Sequence, residues 1–135
     1  MGRWGEQPKQ IFAITLFADN LEVAKNFYTR IFDLPVHFQN HNSAIFNFGH
    51  TLINLLQVDS AKDLIAPSLI ASPGAGSRSV FTIGVDDVDA ACVELVRQGV
   101  ELVNGPMDRS WGVRTASFMD PTGHCWEIAQ PLTDQ

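Results

Sequence analysis

The sequence predicts an α+β fold built from two tandem βαβββ modules. Three observations carry that prediction. The two halves of the 135-residue chain superpose at an offset of 67 residues, which places Thr15 on Thr82, Leu16 on Ile83, Asp19 on Asp86, Leu21 on Val88, Ala24 on Ala91 and Arg30 on Arg97. Each half reads strand, helix, strand, strand, strand by the period of its apolar residues. Each helix is preceded by aspartate at the same offset, Asp19 before the first and Asp86-Asp87 before the second, whose side chains suit an N-cap.

Module one spans 10–58. It opens with Ile11–Phe17 (IFAITLF), an apolar run of strand length. Asp19 with Glu22 has the form of a capping box. Leu21, Ala24, Phe27, Tyr28 and Ile31 then mark one face of a helix over 20–32. Pro35 prevents its continuation. Strands are expected at Val36–Gln39, Ser43–Phe48 and Thr51–Val58. The stretch 59–77 holds Pro67, Pro73, Gly74 and Gly76 and reads as a linker. Module two spans 78–131. Arg78–Val85 is its first strand, and Val88, Ala91, Cys92, Leu95 and Val96 form its helix face. Gly99 suits the left-handed position after that helix. Val100–Val103, Val113–Met119 and Cys125–Gln130 come next as strands, the last two joined by the turn Asp120-Pro121-Thr122-Gly123.

Composition narrows the function classes. The net charge is -6, which gives no electrostatic footprint for nucleic acid. Two cysteines, Cys92 and Cys125, are too few for a disulfide framework and suit a reducing compartment. No uncharged apolar run reaches the roughly 18 residues of a membrane helix. The first ten residues, MGRWGEQPKQ, lack the apolar core of a signal peptide. The expectation is a cytoplasmic protein with neither nucleic acid nor membrane as partner.

Several local patterns resemble the vicinal oxygen chelate superfamily, which includes glyoxalase I, extradiol dioxygenases and the fosfomycin- and bleomycin-resistance proteins. They are Asn20-Leu21 with Phe27-Tyr28 in the first half, and Val85-Asp86-Asp87 and Trp111-Gly112-Val113-Arg114 in the second. The ending Asp120-Pro121-Thr122-Gly123-His124 with Trp126-Glu127-Ile128 is the most specific. The likeness runs from about residue 11 to 131. It implies that each module curls its sheet around a cavity, and that modules pair to make a site, often across a homodimer.

The resemblance also implies a divalent metal held by the first and last strands of each module. Those positions fall on Ala13, Asn54, Val80 and Glu127. Two have no donor atom, one offers a neutral amide, and only Glu127 is an ordinary ligand. The expectation is therefore no metal cofactor. An unconventional site using His37 or His41 is the alternative.

Strand alternation sorts the remaining lining. With Glu127 facing the cavity, Cys125 and Ala129 face it too, while Trp126 and Ile128 pack under helices. The expected ligand-binding residues are Thr15, Asn54, Thr82, Trp111, Arg114, Glu127, Phe38 and Phe46. Glu127 is the candidate general base, or the partner of a cation, unless Arg114 on the neighbouring strand neutralises it. Trp111 suits stacking on a flat or cationic ligand. Asp108 and Arg109 read as a solvated turn. The first functional reading is a metal-independent small-molecule-binding protein, similar to bleomycin-resistance proteins, holding a planar or cationic ligand between its modules. The alternative is a lyase, isomerase or dioxygenase of the superfamily, with an atypical metal site or with Glu127 as base. Open sheet edges favour a homodimer.

Overall fold

The computed structural model describes residues 4–7 and 9–132; residues 1–3 and 8, on which part of the N-terminal reading rests, lie outside it, as do 133–135. Module one consists of β1 (Ala13–Ala18), α1 (Leu21–Ile31), β2 (Phe38–Asn40), β3 (Ser43–Asn47) and β4 (Leu52–Gln57). A helix, α2 (Val58–Ile65), comes next in the chain. Module two repeats the first pattern with β5 (Phe81–Gly84), α3 (Val88–Arg97), β6 (Leu102–Asp108), β7 (Val113–Met119) and β8 (Cys125–Pro131). The sheets have equivalent orders, β1-β4-β3-β2 and β5-β8-β7-β6. In each, the first strand runs parallel to the last and the others pair antiparallel.

Helix α2 corrects the linker expectation. Its Ala61 is completely buried, so this segment belongs to the packed fold. The proline and glycine signals mark only the segment between α2 and β5.

The caps show how the repeat works. Asn20, not Asp19, caps α1, accepting from the Val23 N–H at 3.1 Å. Asp87 does the same for α3 with Ala90 at 3.0 Å. A second device recurs at each helix start. The Gln57 side-chain oxygen, on β4, accepts from the Leu21 N–H at 2.9 Å, and the Gln130 oxygen, on β8, accepts from the Val88 N–H at 2.8 Å. The last strand of each module thus satisfies an otherwise orphaned N–H of that module's helix. Gln130→Leu is expected to cost about 1 kcal/mol, read as a lower urea midpoint at unchanged slope.

Each sheet buries one face under helices, and these two faces pack together into a single core. Leu16, Phe46, Ile53 and Leu55 come from the first sheet; Ala116, Phe118, Trp126 and Ile128 come from the second. Aromatic rings fill the middle. The Tyr28 ring lies 5.7 Å from Phe46 and 5.9 Å from Trp126, and Phe32 lies 4.8 Å from Trp126. Phe46, expected as a ligand-binding residue, is corrected to core: it is 0% exposed. Its strand partner is Ile53, so it shares the helix-facing side with Ile53 rather than the side of Asn54.

A polar chain crosses this core. Trp126 Nε1–H donates to the Tyr28 hydroxyl at 3.0 Å, and that hydroxyl donates to Asp120 Oδ2 at 2.8 Å. His124 Nδ1 lies 2.9 Å from the same oxygen. Asp120 Oδ1 accepts the backbone N–H groups of Thr122, Gly123 and His124 at 2.9–3.0 Å. The Asp-Pro-Thr-Gly-His turn therefore closes the β7–β8 hairpin and ties it to α1 of the other module.

Gly105 fixes the opposite edge of this sheet. Its φ is +89°, and a Cβ there would lie 2.5 Å from the Thr115 carbonyl oxygen and 2.7 Å from Ala116 Cα. Only glycine lets β6 lie this close to β7.

Candidate functional site

The outward faces carry the expected site residues. On β1 and β4, Thr15 pairs with Asn54, whose side chains lie 3.4 Å apart. The Asn54 Oδ1 atom is buried without a hydrogen-bond partner among the described residues. Turning the amide over exchanges its two ends and still leaves one polar atom unpaired. Ile45 on β3 continues this face next to Asn54, and Phe38 on β2 lies beside Ile45 with 56% exposure.

The second sheet repeats the arrangement. Thr82 pairs with Glu127, and the Thr82 hydroxyl donates to Glu127 Oε1 at 2.8 Å. Ser117 on β7 is the register partner of Glu127 on its other side. Thr115 lies two residues earlier on the same face and is fully buried. Cys125 shares this face; burial first, then the charge of Glu127, push its thiol pKa up, which disfavours the thiolate.

Arg114 is corrected. Its register partner is Gln130, which points toward the α3 N-terminus. Arg114 binds Asp89 through Nε and Nη2 at 3.0 Å and Asp108 through Nη1 at 2.9 Å. These hydrogen bonds raise the guanidinium pKa further. Arg114 thus lies on the helix side, away from the face of Glu127, and does not neutralise it.

Arg109, read from the sequence as part of a solvated turn, is half-buried and bonded on the Glu127 face instead. Its Nε donates to Thr115 Oγ1 at 2.9 Å and its Nη2 to Asn104 Oδ1 at 3.0 Å. Its guanidinium carbon lies 6.0 Å from the ring centre of Trp111, which is 70% exposed. The sequence carried one usable signal. Alternation along β7 puts Thr115 and Ser117 on the Glu127 face and so sends Arg114 to the other.

Asn54 and Glu127 do not face a common space within one chain. The helix-covered faces lie between the modules, and both residues point the other way. What does lie between the modules is an apolar cleft of about 440 Å³, lined by Phe32, Phe48, Val85, Leu95 and Ile128 among others.

The four positions implied for a metal do not fit one. Ala13 and Val80 have no donor, Asn54 offers an amide turned toward Thr15, and Glu127 is engaged by Thr82. Among the described residues, His, Cys, Asp and Glu form no group of three able to hold a metal ion.

The glyoxalase/bleomycin resistance protein/dioxygenase superfamily matches residues 10–128, nearly the whole of both modules. The chain belongs to this superfamily. A relative at 28% identity over 127 residues is the uncharacterized protein YraH of Bacillus subtilis strain 168, covering 91% of this chain and 99% of that protein. Among solved structures, a glyoxalase/bleomycin resistance protein/dioxygenase from Nocardioides superposes with a TM-score of 0.83 at 22% identity, covering 96% of this chain and 87% of the other. The antibiotic-binding protein TnmS3 of Streptomyces sp. CB03234 gives 0.71 at 23% identity, with 92% and 97% covered. Lactoylglutathione lyase from Agrobacterium tumefaciens gives 0.73 at 21% identity, with 92% and 95% covered. At these identities the likeness shows the glyoxalase superfamily fold alone. It agrees with the paired βαβββ modules, and no helix among the described residues is long and apolar enough to cross a membrane.

Proposed function

We propose that this chain is a metal-independent small-molecule-binding protein of the glyoxalase/bleomycin-resistance type. It binds a flat ligand on the outward sheet faces, against Glu127 and Trp111. One observation carries the reading: of the four positions the superfamily uses for metal, only Glu127 has a charged donor, and a threonine hydroxyl already occupies one of its oxygens. The remaining lone pairs of that carboxylate, together with the orphaned amide of Asn54, suit hydrogen-bond donors on an organic ligand. The likeness to an antibiotic-binding protein supports a binding role.

A second copy of the chain completes each site. Phe38 and Val80 lie half exposed on or beside the outward faces, at 56% and 50%. The β1 and β5 strands stand at open sheet edges. A homodimer that sets the Asn54 face of one copy opposite the Glu127 face of the other covers both features.

The test is metal content and probe binding together. After incubation with Mn, Fe, Ni or Zn and dialysis, the protein is expected to retain well under one equivalent of metal. Proflavine, a flat cation, is expected to bind saturably and to bind about tenfold more weakly to Glu127→Gln, equal to about 1.4 kcal/mol. Stoichiometric tight metal binding coupled to turnover overturns the reading. A monomer by sedimentation overturns the shared site.

A further inference from the structure

We infer that Arg109 and Trp111 form an anion subsite on the Glu127 face, so that the ligand is a flat organic acid. This rests on the outward faces being the binding surface, and it adds the ligand's charge.

The hairpin between β6 and β7 fixes the arginine. Its backbone N–H donates to the Val113 carbonyl at 2.7 Å, and its own carbonyl accepts from the Gly112 N–H at 3.1 Å. Its side chain then folds over the completely buried Thr115. Arg109 is thus half-buried and held in one orientation by two neutral oxygens. Among the described residues it pairs with no carboxylate. The adjacent Asp108 points to the helix side, where it is committed to Arg114. Arg114 takes two carboxylates and Arg109 takes none, in a chain of net charge -6. A half-buried guanidinium held in place, with no hydrogen bond from Nη1 among the described residues, is ready to receive an anion, and its planar fork matches a carboxylate.

The surroundings set the shape of the partner. The exposed Trp111 ring beside the guanidinium offers a stacking face for a flat ring. Thr115 and Ser117 are successive positions on one face, about 7 Å apart. The Ser117 register partner is Glu127. Arg109 thus stands between the Trp111 ring, in the turn, and the Ser117–Glu127 pair further along the sheet, so a ring seated on Trp111 places its acid group on Arg109.

The test compares 2-naphthoate with its uncharged isostere 2-naphthamide, by Trp111 fluorescence and calorimetry. The wild type is expected to bind naphthoate about tenfold more tightly than naphthamide, with the preference falling as salt is raised. Arg109→Gln is expected to abolish the preference, and saturable naphthamide binding that persists in it reports that the face is intact. Arg109→Lys is expected to retain part of it. Trp111→Ala is expected to weaken both probes. Equal affinity for the two probes, a preference that survives in Arg109→Gln, or no saturable naphthoate binding overturns the inference. Proflavine binding that depends on Glu127, with naphthoate indifferent to Arg109, removes the anion subsite and leaves the proposed function standing. The converse result removes the role of Glu127 and keeps the subsite.

Discussion

Asp120→Ala is expected to destabilise the fold by about 3–5 kcal/mol, enough to leave a domain of this size largely unfolded. The carboxylate is 5% exposed and accepts five hydrogen bonds or contacts: three backbone N–H groups, the Tyr28 hydroxyl and the His124 ring. Removing it leaves the buried Tyr28 hydroxyl without its acceptor and takes a partner from the part-buried donors of the turn, which costs more than the bonds themselves contributed. Asp120→Asn keeps the shape and part of the acceptor set, and is expected to lose less. The pH dependence comes from the direction of the shift. Burial acts to raise the Asp120 pKa, but hydrogen bonds and the charge of His124, with backbone and Tyr28 bonds, hold it below the usual aspartate value. A carboxyl depressed in the folded state contributes stability that is present above its unfolded pKa, about 4, and is lost as pH falls through the folded value. Urea midpoints of the wild type are therefore expected to drop steeply below about pH 4, and those of Asp120→Asn to drop less. Equal pH slopes for the two proteins would sink this assignment.

Gly105→Ala is expected to be nearly as damaging, at about 2–4 kcal/mol, through backbone rather than charge. Two costs combine: a φ of +89°, which an L side chain resists, and a methyl group placed 2.5 Å from a backbone oxygen. Because the oxygen belongs to Thr115 on the neighbouring strand, β6 must move away from β7. That shift separates Asn104 from Arg109, so the variant is expected to lose stability and naphthoate preference together. Gly49→Ala is the control: its φ is +96°, but nothing lies within 4 Å of the added carbon. It is expected to cost only the strain of the turn. Thermal unfolding of both variants checks the difference.

Much of the fold was legible because it repeats. The 67-residue offset located both helices, and the caps Asn20 and Asp87 sit at that same offset. The third strand of module two was read to the residue, Val113–Met119. Helix α2 was not legible, because its eight residues run into the proline- and glycine-rich stretch that signals a linker. The site was less legible than the fold. Thr15, Asn54, Thr82 and Glu127 share faces as alternation predicts, since period-two patterning needs no knowledge of partners. Arg114 and Phe46 were misplaced because each was chosen for its side-chain type, whereas the register partners Gln130 and Ile53 decide which way they point. Arg109 was missed because its position depends on a four-residue hairpin turn, which side-chain periodicity does not describe.

The chain from Trp126 through Tyr28 to Asp120 bears on how such sequences are found. Three of the residues that made the superfamily recognisable, Tyr28, Asp120 and Trp126, join one module to the other. They lie on the opposite side of the sheet from Thr82 and Glu127. The ending that carries Asp120 and Trp126 also contains Glu127, so the signature records how the halves are fastened and only one residue of the outward face. What sets one such chain apart from another then lies at the alternate positions of the same strands, here Thr82, Ser117 and Glu127.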